Sequence, residues 1–341
     1  PRHTQQTVDL PGIVLVVLIV LSALTALSLG GTTFPWLSGP VIGMLGFSAL
    51  LIGIFLRAER GRRESIIPLA LYRNRVIATS VGASFFLGFA MYASVLFLPL
   101  WFQGVRGETA TASGSYLTPM MLGVVTGAFL SGQSLSRLGG HYRRQGILGI
   151  LLLMAGWWLL TTLTPSTSHG LAVFYMVLGG FGLGITMPLY PTAIQNVVSQ
   201  RQMGVAVSAV PFWRFTGAAF GLSILGSVLS NQFANRFLAR LPDTVVQALP
   251  PQQLTALAHD PQGLITSHGQ QLLRNTLTQA VGQPDHLLSQ LHDAMLGALN
   301  AAVTRVLFVG ALAAAVAFVI HLLIREIPLR KGHEDEPPDI V

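Results

Sequence analysis

Cysteine is absent from the 341 residues, which excludes thiol catalysis, disulfides and Cys-ligated metal sites. Charge is scarce as well. Asp, Glu, Lys and Arg make up 10% of the chain, against about 25% in soluble domains. Lysine is nearly missing: Lys331 stands alone beside nineteen Arg. The most telling lack is of acid. Thirteen Asp and Glu occur, and none falls in a long apolar run. The net charge of +7 would suggest nucleic acid in a soluble protein, but the apolar runs and the placing of Arg give it another cause, and no nucleic-acid partner is expected.

What fills the chain is apolar sequence. Eight stretches run at roughly 13–30, 39–57, 76–102, 112–134, 145–164, 170–197, 203–231 and 302–325. A hydrocarbon core of about 30 Å needs about 20 apolar helical residues, and each stretch approaches or exceeds that. The reading is an all-α integral membrane protein with eight transmembrane helices. Pro1 opens a polar segment without an initiating Met or a cleavage site, so a signal peptide is not expected and the chain reads as a piece of something longer.

Arginine sets the expected topology. Arg57, Arg60, Arg62, Arg63, Arg73 and Arg75 lie between the second and third stretches. Arg137, Arg143 and Arg144 lie between the fourth and fifth, Arg201 between the sixth and seventh, and Arg325, Arg330 and Lys331 after the last. Alternate loops are poor in Arg, so both termini are expected in the cytoplasm. The expected order is a cytoplasmic linker at 1–12, two transmembrane helices in 13–57 and a basic cytoplasmic loop at 58–75. Helices three to seven follow in 76–231, then a long external loop with amphipathic helices at 232–301, the last helix at 302–325 and a cytoplasmic tail at 326–341. Leu288, Leu291, Met295 and Leu299 form a helical stripe that leads into the last stretch.

A charge inside a span is costly and marks a functional site by default. Arg214 is such a charge, about 16 Å into the seventh stretch at the helical rise. Two readings stand side by side: a cation facing a cavity or pairing with a carboxylate elsewhere, and a structural Arg bound to backbone or snorkelling to the surface. Pro211 is expected to kink that helix, and Pro188 and Pro191 to break the sixth. Trp213, Phe212, Tyr92, Gln103, Tyr116, Gln133 and Tyr190 could line a cavity for an amphipathic organic substrate, with belt residues at the membrane interface as the plainer reading. His321 reads as interfacial. Gly180 with Gly184, and Gly217 with Gly221, read as notches for close helix packing, joined by Gly179 and Gly182.

The loop Gly132 to Arg144, GQSLSRLGGHYRR, resembles the signature G-x-x-x-D-R-x-G-R-R of major facilitator transporters. Gly132, Arg137 and Gly139 match, Ser136 stands where Asp is expected, Gly140 replaces the next Arg, and Arg143 and Arg144 come slightly later. LPLWFQGVRGETATASGSYLTPMMLG and MGVAVSAVPFWRFTGAAFG resemble the fourteen-span drug:proton antiporters of that superfamily. The resemblance implies the carboxyl-terminal eight spans of fourteen. The first two would be extra central helices and the other six the second bundle of a major facilitator fold. It further implies a bacterial cytoplasmic-membrane exporter of drugs or metabolites, driven by protons through an amino-terminal half absent here, with Arg214, Trp213, Tyr92, Gln103 and Tyr190 as substrate-site candidates.

The lack of embedded acid agrees with coupling groups placed elsewhere, since a proton carrier needs a carboxylate whose affinity burial can shift. An enzyme is not expected, because His141, His169 and His321 lie on different faces or far apart and no embedded acid supports them. No cofactor is expected either. The competing reading is a free-standing membrane partner or regulatory protein that docks through 232–301.

Overall fold

In a computed structural model, residues 10–30, 33–59, 69–137, 141–241 and 285–327 are described, with Leu254, Ala258 and Gln271. The described chain is helical. In order come α1 (Leu10–Leu29), α2 (Gly39–Glu59), a 3-10 turn (Leu69–Arg73), α3 (Arg75–Val95), α4 (Phe97–Gly104) and α5 (Ala110–Ser115). They are followed by α6 (Leu117–Arg137), α7 (Tyr142–Leu160), α8 (His169–Gln195), α9 (Gln200–Leu238) and α10 (Asp285–Leu322). Six segments among the described residues are long and apolar enough to cross a membrane: α1, α2, α3 with α4, α8, α9 and α10. Helices α6 and α7 span 21 and 19 residues and lie outside that set. Gln133, Ser134, Ser136 and Arg137 close α6, and Arg143, Arg144 and Gln145 open α7, so each spends part of its length on polar residues.

Proline explains two interruptions. Its ring clashes with the carbonyl four residues earlier. Pro99 points back at Val95, where α3 ends, and Pro119 at Ser115, where α5 ends. Pro188 and Pro191 do not break α8, contrary to the sequence expectation. Membrane helices tolerate proline inside their length, and α8 stays continuous through both, with Ser131 Oγ–H of α6 donating to Ile185 O of α8, 2.9 Å away, beside this stretch. Helix starts are capped in the ordinary way. Asn74 accepts from Val76 N–H at 2.9 Å, Thr109 from Ala112 N–H and Ser168 from Leu171 N–H.

Six helices, α3 and α6 to α10, pack on one another, and α1 and α2 form a hairpin that meets them through α9. Ser227 Oγ–H donates to Gly30 O at that junction. The hairpin is peripheral: 17% and 22% of its two apolar segments are buried, and residues such as Leu21 and Leu50 face outward. Glycine sets the spacing inside the bundle. A Cβ at Gly184 would overlap Val124 O of α6, and one at Gly217 would overlap Phe85 O of α3. These residues serve as the packing notches that small-residue motifs provide in membranes.

One end of the bundle gathers arginine. Arg75 Nε–H donates to Leu323 O and Arg143 Nη2–H to Leu322 O, both at 3.1 Å, satisfying the last carbonyls of α10. Tyr142 O–H donates to Arg325 O and accepts from Ile327 N–H, each at 2.6 Å. The opposite end is tied by Trp101 Nε1–H to Asn300 Oδ1 at 2.7 Å and by Asn300 Nδ2–H to Leu163 O. Helix α10 starts at Asp285, so the Leu288–Leu299 stripe is continuous with the last apolar run. Most of 232–301 lies outside the described residues.

Candidate functional site

A cavity of about 530 Å³ lies between α8 and α9. Its α8 wall is Met187, Pro191 and Gln195, spaced four apart on one helical face. Its α9 wall includes Met203, Val207, Val210 and Pro211 and ends at Arg214. Gln195, Gly204 and Ser208 are exposed toward the arginine-rich end. Arg214 and Met187 close the deep end. The lining is otherwise apolar, so the cavity is a greasy slot with a guanidinium at its base.

That guanidinium is poorly served. Nη1–H donates to Met187 Sδ at 2.6 Å, and thioether sulfur is a weak acceptor. Nε and Nη2 are buried with no partner among the described residues, although the residue as a whole is half-buried. An unpaired charge in an apolar medium costs several kcal/mol. The structure thus argues against an Arg214 bound to backbone carbonyls: the residue lines the deep end of the cavity, with these two nitrogens enclosed beside it. Its main chain is fixed from behind. A Cβ on Gly88 of α3 would overlap Arg214 O and lie 2.8 Å from the carbonyl carbon.

Tyr190 lies within electrostatic reach of Arg214 but points away from the slot. It is fully buried, and its hydroxyl is 3.1 Å from His321 Nδ1. His321 Nε2–H donates to Arg143 O at 3.0 Å. A neutral ring protonated at Nε2 therefore satisfies both contacts, with Tyr190 O–H donating to Nδ1. His321 lies in the last turn of α10, at the arginine-rich end, and is 1% exposed, so protein rather than solvent surrounds it. Gly146 of α7 makes the room, since a Cβ there would overlap the imidazole.

The other candidates separate. Trp213 turns to α3: its Nε1–H donates to Tyr72 O at 2.9 Å, and its ring meets Tyr72 and Phe85 edge-on. Burial pushes the Tyr72 hydroxyl above its ordinary range, and the Trp213 bond partly offsets this. Gln103 is at the far end, donating to Ser113 Oγ at 2.9 Å. There the rings of Phe102, Tyr116 and His169 form a mutual cluster, and Glu108 meets His169 at 2.8 Å. Tyr92 is half-buried near the end of α3, and Phe212 is exposed. In the loop signature, Gly132 ends up with open space about it and Arg137 and Arg144 are exposed. Arg143 binds α10, and Gly139 lies outside the described residues. Of the five substrate-site candidates, the structure places Arg214 alone on the cavity. The sequence reading missed Met187, Met203 and Val207, whose signal is a four-residue spacing on two facing helices.

The family model described as Major Facilitator Superfamily matches residues 11–222. The multidrug transporter protein MdtP of Bacillus subtilis is 32% identical over 96% of this chain and 60% of its own length. Multidrug resistance protein 3 of the same organism is 32% identical over 69% of this chain and 46% of its own length. This chain therefore spans about half the length of the curated relatives it matches. A solved bacterial homologue of the lysosomal transporter Spinster, inward-facing and unoccupied, is 16% identical with a TM-score of 0.49, over 85% of this chain and 61% of that one.

Proposed function

Since this multi-pass membrane chain belongs to the Major Facilitator Superfamily, we propose that it is the carboxyl-terminal portion of a proton-coupled exporter of amphipathic compounds. In this reading the Arg214 cavity is part of the substrate path. The observation that carries it is the slot itself: an apolar cavity between two helices with a guanidinium at its base. The relatives named for multidrug transport and resistance support the cargo class.

The cavity also suits loading for export. Its rim lies at the end that gathers arginine, which the positive-inside rule places in the cytoplasm. The six packed helices α3 and α6 to α10 would be one bundle of an alternating-access carrier, with α1 and α2 as the additional pair. Such carriers move one bundle against another, and the thirteen acids all avoid the apolar runs. Both features support a reading in which the proton-coupling carboxylates and the other, amino-terminal bundle belong to the remaining length of a longer protein.

The test uses that longer protein in cells loaded with a fluorescent amphipathic drug. Arg214→Ala is expected to slow efflux at unchanged membrane abundance, while the 341-residue chain alone, in proteoliposomes, moves nothing in an uncoupler-sensitive way. Saturable, uncoupler-sensitive transport by the chain alone would overturn the two-bundle reading. Unchanged efflux in Arg214→Ala would remove the cavity from the path.

A further inference from the structure

Arginine offers five N–H donors. Arg214 uses Nη1 on a thioether, and two of its other nitrogens are buried without partner among the described residues. The apolar runs hold no Asp or Glu, so no neighbouring span of this chain can supply a counter-ion. Around the charge, Met187, Met203, Val207 and Val210 offer hydrocarbon and thioether surface, and the volume of about 530 Å³ is that of a small-molecule site. Met is the most adaptable apolar lining. The guanidinium is the group that recognises planar or tetrahedral oxyanions in a forked geometry.

We propose that this cavity takes an amphipathic anion. A carboxylate, sulfonate or phosphate head group draws the Arg214 guanidinium off Met187 and into the slot, where its enclosed, unpaired N–H groups find acceptors, and an apolar body lies along the α8–α9 slot toward Gln195. The inference rests on the reading of the slot as a ligand site and adds the sign of the ligand's charge. A cationic amphipath would bring a second positive charge against an already unpaired one, and is excluded by the same desolvation that makes the anion welcome. The anion has two possible sources, a free solute or the head group of a membrane lipid, and the experiment separates them.

The purified chain in phosphatidylcholine nanodiscs is titrated with 11-(dansylamino)undecanoic acid and, separately, with the primary amide of the same molecule. The acid is expected to bind tighter by about tenfold or more, the effect of one charge-assisted bond pair. Arg214→Gln should bring the ratio close to one, and Arg214→Lys should keep part of it. Nanodiscs containing phosphatidylglycerol then identify the source: loss of acid binding there assigns the site to lipid head groups, and retention assigns it to free solutes. Equal binding of acid and amide to the unchanged chain overturns the anion assignment. Val207→Trp, which fills the slot without touching charge, separates this from failure of the site itself. If Val207→Trp abolishes binding of both probes, the site stands and only the charge preference is wrong. If it changes neither, the slot is not a ligand site at all.

Discussion

Gly88→Ala is expected to destabilise the chain and weaken the Arg214 cavity, whereas Gly82→Ala, earlier on the same helix, is expected to do neither. The added methyl at Gly88 would overlap Arg214 O and sit 2.8 and 3.1 Å from its carbonyl carbon and Cα. Carbon pairs rest at about 3.5–4.0 Å. Both partners are helix backbone and cannot rotate aside, so α3 and α9 must part by roughly 1 Å. Overpacking of this kind costs about 1–3 kcal/mol. Against it stands a gain of up to about 1 kcal/mol for replacing Gly by Ala in a helix. At Gly82 the methyl would meet Ile320 side-chain carbons at 3.6 and 3.8 Å, which is ordinary contact. The helical gain survives there. The two substitutions, chemically identical, should therefore move stability in opposite directions.

The assay is the fraction of monodisperse protein that remains after heating in detergent, read by size-exclusion chromatography. A net loss of about 1–2 kcal/mol corresponds to a fall of roughly 1–3 °C for Gly88→Ala in a chain of this length, and Gly82→Ala should be unchanged or higher. Binding of the dansyl acid should drop in Gly88→Ala and persist in Gly82→Ala, because only the first displaces the Arg214 main chain. Shifts of the same sign in both variants would refute the claim that backbone contact at Gly88 positions Arg214.

His321→Ala should cost about 1–3 kcal/mol by orphaning the Tyr190 hydroxyl and the Arg143 carbonyl, and Gly146→Ala should lower thermal stability in the same assay by displacing the imidazole. Wild-type stability in both would show that the Tyr190–His321 contact holds nothing together. Asn300→Leu strips the acceptor from the fully buried Trp101 indole, so a similar loss is expected there, and no loss would dissociate that pair from folding. Trp213→Phe removes the donor that partly offsets the burial of Tyr72. The Tyr72 hydroxyl should then titrate at higher pH, seen in its ¹³Cζ resonance, and a shift to lower pH would contradict the geometry.

Helix positions were legible because a bilayer demands long apolar runs, and that demand is written residue by residue. Most long helices begin and end within a few residues of the runs read from sequence, α9 and α10 extend well beyond theirs, to Leu238 and from Asp285, and the interruptions are physical. Proline at 99 and 119 cuts short helices from longer ones, while Pro188 and Pro191 leave α8 whole. Composition cannot tell these cases apart, because the outcome depends on what the neighbouring helix offers the freed carbonyl. The notches at Gly184 and Gly217 were readable from spacing, but their partners Val124 and Phe85 were not.

The site was half legible for a related reason. Arg214 announces itself as a charge in an apolar run, whereas its neighbours Met187, Met203 and Val207 look like any span residue until α8 is set against α9. In the sequence Trp213 and Tyr190 join it as candidates because they are polar aromatic residues within apolar runs. On a helix, though, adjacent residues diverge by about 100°, so Trp213 meets α3 while Arg214 meets the slot. His321 does lie near a helix end, as the sequence suggests, but its enclosure is hidden there. What buries it is a glycine on another helix and a tyrosine on a third, a coincidence of three elements that no single stretch of sequence displays.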